Sequence, residues 1–181
     1  MSESAASAAA ATAAPAGSSS TAAVGQAPSD DHAEAVRRLR DFSFAQVLLL
    51  VVQTGLGLVA NIFATLPASD QGQGLLTSFR DSITKGPGSV AAHAGFGMLV
   101  VVNACLLVVF ALTVRDTSVK VTSAVGLLCI AGAAVSGAAF VNANQTSNSA
   151  SYASLVMGLL TMVALACYAW NLFAMGRNGG E

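Results

Sequence analysis

Four long apolar stretches dominate the pattern of hydrophobic and polar positions. They cover about 43–66, 89–113, 119–141 and 151–174, contain no proline, and carry one charged residue, Lys120, at the start of the third stretch. About 20 residues of helix are enough to cross a hydrocarbon core about 30 Å thick. The pattern therefore predicts an all-α membrane protein with four transmembrane helices in an antiparallel bundle, spanning 43–175.

The basic residues near the ends of these spans predict the orientation. Cytoplasmic flanks carry an excess of Lys and Arg, and six basic residues would lie on one side against Arg80 and Lys85 on the other. Both termini are therefore predicted to be cytoplasmic, with Tyr168 and Trp170 as anchors at the inner interface. The six are Arg37, Arg38, Arg40, Arg115, Lys120 and Arg177.

The flanking segments differ from the spans. Residues 1–30 consist mostly of Ala, Ser, Thr and Gly without an apolar stripe, which predicts a disordered tail. Residues 31–42 are predicted to form a short basic helix on the membrane surface, since Asp30 or Asp31 can cap it and Glu34 suits its first turn. Residues 176–181 would be a C-terminal tail.

Composition narrows the protein class. Of the 181 residues 54% are apolar and 9% are charged, whereas soluble domains carry about 25% charged residues. The mean hydropathy is +0.66, and the net charge of −1 argues against a nucleic-acid-binding protein. Abundant alanine, few lysines and the lack of a targeting signal predict a multi-pass protein of a bacterial cytoplasmic membrane, in contact with the lipid bilayer.

Small residues within the spans predict how the helices meet. Helices in lipid associate through close packing of small side chains. The same positions could pack the helices of this chain together or dock it onto a larger membrane complex. The candidate helix-packing residues are Gly55, Gly57, Gly95, Gly97, Gly132, Ser136 and Gly137.

Few residues in the spans can perform chemistry. The absence of carboxylates at depth argues against proton-coupled transporters and pumps, and it leaves no acid–base pair for an enzyme. Gln53 and Asn103 lie nearer mid-membrane and are expected to form hydrogen bonds between helices. Three separated cysteines are interpreted as packing residues: Cys105, Cys129 and Cys167.

His93 is the one titratable side chain well inside a predicted span, about one turn into the second. It could fasten helices through Asn61, Ser136 or a backbone carbonyl. It could also ligate haem b iron, with Met157 as a second ligand, because His and Met are a known axial pair. A quinone or another small ligand is a third alternative.

One family shares some of these features. The run Gln53-Thr54-Gly55-Leu56-Gly57, an extended outer loop and then His93 resemble one half of haem A synthase. That resemblance implies a four-helix bundle with His93 as a haem ligand. The chain departs from the family at the start of the fourth span, where Met157 lies in a segment without histidine. It also has Val90 in place of the catalytic glutamate and lacks the pair of loop cysteines.

These observations favour a non-catalytic membrane protein that acts as an accessory or assembly subunit of a larger complex, such as a respiratory one. The alternative hypothesis is a b-type haem-binding module that uses His93 and Met157. An oligomeric channel or transporter ranks third.

Overall fold

The computed structural model describes residues 30–66, 71–143 and 147–178, and five helices make up most of these residues. These residues include no strand. The predicted disordered tail, up to residue 29, and the last three residues lie outside the described residues. The helices are α1 (Asp30–Phe63), α2 (Leu75–Thr84), α3 (Gly88–Thr113), α4 (Thr117–Asn142) and α5 (Asn148–Asn178).

Four of these helices are long and apolar enough to cross a membrane: α1, α3, α4 and α5. Each lacks proline, so nothing interrupts its backbone hydrogen bonds. Large apolar side chains such as Leu58, Ile62 and Leu112 are exposed along them. The predicted all-α class and the four apolar helices are confirmed, and the chain has the character of a multi-pass membrane protein.

The basic segment 31–42 is part of α1 and does not form a separate helix. No Gly or Pro occurs in α1 before Gly55, so nothing ends the helix near residue 42. Leu39 is fully buried, and the ring of Phe42 contacts that of Phe110 with centroids 5.0 Å apart. Since its side chains pack against other helices, this segment differs from the predicted surface helix.

The long helices contact one another in a closed order: α1 packs on α3 and α5, and α4 packs on the same two helices. Between α1 and α3, the Gln46 amide nitrogen donates to Val100 O (3.2 Å) and the Gln53 amide nitrogen donates to His93 O (3.1 Å). Residue numbers therefore rise along α1 as they fall along α3. Asn103 completes the first contact, donating to Gln46 Oε1 at 2.6 Å.

Residue numbers also rise along α4 as they fall along α5, because Gly126 lies against Tyr168 and Gly137 lies against Met157. The Tyr168 side chain is fully buried, with its ring against the Gly126 backbone. The prediction that Tyr168 is an interfacial anchor is therefore wrong, since its hydroxyl cannot reach lipid head groups. Trp170 is about half exposed.

Helix α2 lies in the segment predicted as a plain loop and packs on α3 and α4. It begins after Gly72 and Gly74, which both have the positive φ that favours glycine. Asn142, the last residue of α4, stabilises the segment before α2 through two hydrogen bonds. Its carbonyl accepts from Gly72 N and its side-chain oxygen accepts from Gly74 N, each at 3.0 Å. The helix is thus fixed across one end of the bundle, which we call the α2 end.

Candidate functional site

A cavity of about 370 Å³ lies inside the half of the bundle nearest the α2 end. All five helices line it, and α2 contributes Phe79 and Ser82. His93 of α3 and Met157 of α5 both line it, so the two residues predicted as haem ligands border one space. Most of the other lining side chains are apolar or small. This volume falls within the range of about 300–1,000 Å³ that is typical of small-molecule sites.

His93 is partly buried and lies against α1. The Gln53 amide nitrogen is 3.4 Å from His93 Nε2 and also donates to the His93 carbonyl. A Cβ atom at Gly57 would lie 2.8 Å from His93 Cε1, so the ring occupies the space left by the missing side chain. The structure therefore gives His93 a partner, Gln53, that differs from the predicted Asn61 and Ser136.

The polar atoms at this contact are only partly paired. The Gln53 amide nitrogen, which can only donate, lies 3.1 Å from His93 O and 3.4 Å from His93 Nε2. Nδ1 is buried without a hydrogen-bond partner among the described residues, and so is Gln53 Oε1. Two buried polar atoms are thus left unpaired where α1 packs on α3, an arrangement that costs free energy.

Met157 lies on the opposite side of the cavity, against α4. Its sulfur would be 3.3 Å from a Cβ atom at Gly137. Asn61 and Ser154 also line the cavity, whereas Ser136 is not among its lining residues. The sequence thus located several residues of this site, and its prediction that Gln53 forms a hydrogen bond between helices is confirmed. It did not pair Gln53 with His93, because that pairing depends on which residue of α3 lies opposite Gln53.

The residues present fit haem poorly in this arrangement. Haem ligation needs a ring nitrogen with a free lone pair directed at the iron. The Gln53 amide nitrogen lies 3.4 Å from His93 Nε2, and His93 Nδ1 is buried against Gly57. Among the described residues, no group of three or more His, Cys, Asp or Glu side chains could hold a metal ion.

The predicted helix-packing glycines fall into two groups. A Cβ atom at Gly57, Gly97, Gly132 or Gly137 would closely contact a side chain of another helix. At Gly55 and Gly95, by contrast, it would meet no atom of the described residues within 4 Å. The first group packs this bundle together, and the second group lies open on the surfaces of α1 and α3.

No protein-family model matches the chain, and comparison with curated proteins and with solved structures finds no match either.

Proposed function

We propose that this chain is a non-catalytic, multi-pass protein of a bacterial cytoplasmic membrane that serves as an accessory or assembly subunit of a larger membrane complex. Its four long helices form an antiparallel bundle with both termini in the cytoplasm. The α2 end then faces outward. This orientation is supported by six basic residues at the opposite end, against Arg80 and Lys85 at the α2 end.

The open glycines carry the proposal. Gly55 is on α1 and Gly95 is on α3, two helices that pack together, and both glycines are exposed. Small residues at a helix surface allow another helix to approach closely in lipid. Within this chain, five other glycines (Gly57, Gly97, Gly126, Gly132 and Gly137) perform that task, and these two do not. They therefore offer a surface for a helix of a partner.

Blue-native electrophoresis of gently solubilised membranes tests the proposal. We expect the chain to migrate as part of a complex that is much larger than the 18.1 kDa monomer and its bound detergent. Denaturing electrophoresis in the second dimension should then separate this chain from its partner. Migration solely as a monomer would contradict the proposal.

We do not favour a b-type haem module, although His93 and Met157 share a cavity. Because Gln53 occupies His93 Nε2, we expect protein purified from haem-replete cells to be colourless. Reduced-minus-oxidised visible spectra, recorded beside His93→Ala, check this. A Soret band that disappears in His93→Ala would make haem the occupant of the cavity.

A further inference from the structure

We propose that the cavity and a groove beside it bind a glycerolipid of the bilayer. One acyl chain occupies the cavity, and an ester carbonyl of the lipid accepts hydrogen bonds from Asn61 and Ser154. This inference is independent of the proposed partner complex, because the cavity lies inside the bundle and the open glycines lie on its surface. The purified chain without any partner can therefore test it.

The groove between α1 and α5 connects the cavity with the bilayer. Six residues line both spaces: Asn61, Ala64, Phe140, Ser154, Gly158 and Met162. Helix α2 packs on α3 and α4, which lie across the bundle from this groove. Asn61, Gly158 and Met162 are exposed on the outside of the bundle. An acyl chain can thus enter the cavity sideways from the hydrocarbon core without crossing water.

The dimensions of the cavity suit a single hydrocarbon chain. Its lining residues extend from 50 to 64 on α1 and from 90 to 101 on α3, which is about 17–21 Å at about 1.5 Å per residue. A volume of about 370 Å³ over that length corresponds to a mean cross-section of about 20 Å². The space is therefore long and narrow, and it admits one extended chain but not two.

The wall of the cavity favours an apolar occupant. No Asp, Glu, Lys or Arg is among its described lining residues, so an ionic group would lose its hydration without gaining a counter-charge. His93 and Gln53 line the cavity, but their unpaired atoms, Nδ1 and Oε1, are buried where α1 packs on α3. Three hydroxyls already donate to the backbone carbonyl four residues earlier in their own helices: Thr54, Ser82 and Thr161.

Asn61 and Ser154 are the free polar side chains where the cavity meets the groove. Neither forms a side-chain hydrogen bond with another described residue. Asn61 is exposed, and Ser154 Oγ is not among the buried atoms without a partner, so both side chains are accessible. Ser151 adds an exposed hydroxyl to the groove, whose lining contains no charged residue. An amide and two hydroxyls can all donate to a carbonyl, which suits a neutral acceptor.

The depth of these side chains in the membrane selects the ester group. Helix α5 has 31 residues, or about 46 Å, against a hydrocarbon core of about 30 Å. A centred span leaves about 8 Å of helix outside the core at each end, and Ser154 lies about 9 Å from the start of α5. Asn61 lies two residues before the end of α1. Both therefore lie near the core boundary, where the esters of bilayer lipids are located.

The polarity of the groove changes along α5 in the same direction as that of a glycerolipid. Ser151 and Ser154 line the part near the start of the helix, whereas Leu155, Leu159 and Met162 line the part nearer mid-membrane. A lipid whose ester group contacts the serines thus directs its acyl chain towards apolar side chains.

Native mass spectrometry of the purified full-length chain, with lipid added to the detergent micelles, tests the proposal. The probes are dipalmitoylphosphatidylcholine and its dihexadecyl ether analogue, which has the same head group and chain length but no ester carbonyl. We expect the ester lipid to bind with a Kd at least about fivefold lower, because the ether offers no carbonyl to Asn61 and Ser154. Equal binding of the two lipids, or no binding of the ester lipid, would overturn the proposal.

A third lipid separates the ester from the head group. Dipalmitoylphosphatidylglycerol has the same esters and chains but a net negative charge. Since neither the cavity nor the groove is lined by a charged residue, we expect its Kd to match that of the phosphatidylcholine within about twofold. A larger preference for either head group would place recognition on charged residues outside the groove and contradict the assigned ester site.

Variants locate the polar contact. When Asn61→Leu is combined with Ser154→Ala, we expect the ester lipid to bind no more tightly than the ether, since both donors are removed. Thr54→Val is the matched control in the cavity wall, because the Thr54 hydroxyl already donates to Leu50 O at 2.8 Å. It should keep the preference for the ester. A folded double variant that also keeps this preference would overturn the assigned contact.

The entry route has its own test. A Cβ atom at Gly158 would meet no described atom within 4 Å, so Gly158→Leu places a side chain in the open passage between groove and cavity. We expect this change to weaken binding of both lipids about tenfold or more. Gly95→Leu makes the same change at an open glycine of α3 that borders neither space, and it should bind both lipids as the wild type does. Equal binding by the two variants would overturn entry between α1 and α5.

Discussion

Replacing Gly126 by Ala should lower the free energy of unfolding by about 1–3 kcal/mol, because one added methyl group overpacks a tight helix contact. The new Cβ atom would lie 2.7 Å from Tyr168 Cζ and 2.9 Å from Cε2. Tyr168 is fully buried, so its ring cannot move aside without displacing its neighbours. Reversible unfolding in mixed micelles, followed by circular dichroism, measures the effect.

Gly95→Ala is the matched control for this experiment. A Cβ atom at Gly95 meets no described atom within 4 Å, so the stability should be unchanged or slightly higher. In the Gly126→Ala background, Tyr168→Leu should recover part of the loss because a smaller side chain leaves room for the methyl group. Equal stability of the two single glycine variants would contradict the packing of α4 on α5.

Replacing Asn103 by Leu should lower the free energy of unfolding by about 1–2 kcal/mol, since hydrogen-bonding groups would remain buried without their partner. Asn103 donates to Gln46 Oε1 at 2.6 Å and to Phe42 O at 3.3 Å. Gln46 is fully buried, so its oxygen has no access to water after the change. The same unfolding assay measures this loss.

A double-mutant cycle separates this hydrogen bond from a general effect of the substitution. Gln46→Leu with Asn103→Leu should cost less than the sum of the two single changes, because the double variant leaves neither side chain unpaired. Asn61→Leu, at an exposed amide of α1, should have little effect on stability. Strictly additive losses would show that Gln46 and Asn103 do not form the buried pair.

The four long helices could be predicted because apolar side chains and charges are sharply segregated along the chain. Helix α2 was missed because it is short and amphipathic. Its apolar residues Leu75, Leu76, Phe79 and Ile83 recur at helical spacing, but span detection by length passes over a helix of 10 residues. That spacing is the feature of the sequence from which α2 could have been predicted.

The cavity depends on helix register, which hydropathy does not encode. Counting inward from predicted span ends placed His93 level with Asn61. In the structure His93 lies opposite Gln53, so the start of α3 falls near residue 58 of α1 and the last turn of α1 extends past it. Moving the facing residue from Asn61 to Gln53 gives His93 a different set of neighbours on α1, since each residue adds about 1.5 Å along a helix. His93 and Met157 could therefore be singled out as candidates, whereas the pairing of His93 with Gln53 required the structure.

The most direct test of the account compares blue-native migration of the wild type, Gly95→Leu and Val109→Leu in gently solubilised membranes. Both substitutions place Leu on the exposed surface of α3, but only Gly95→Leu fills a position where close approach of a partner helix needs a small residue. The account predicts that the wild type and Val109→Leu migrate with a larger complex and that Gly95→Leu shifts to the monomer. A monomeric wild type, or a complex that Gly95→Leu leaves intact, would contradict it.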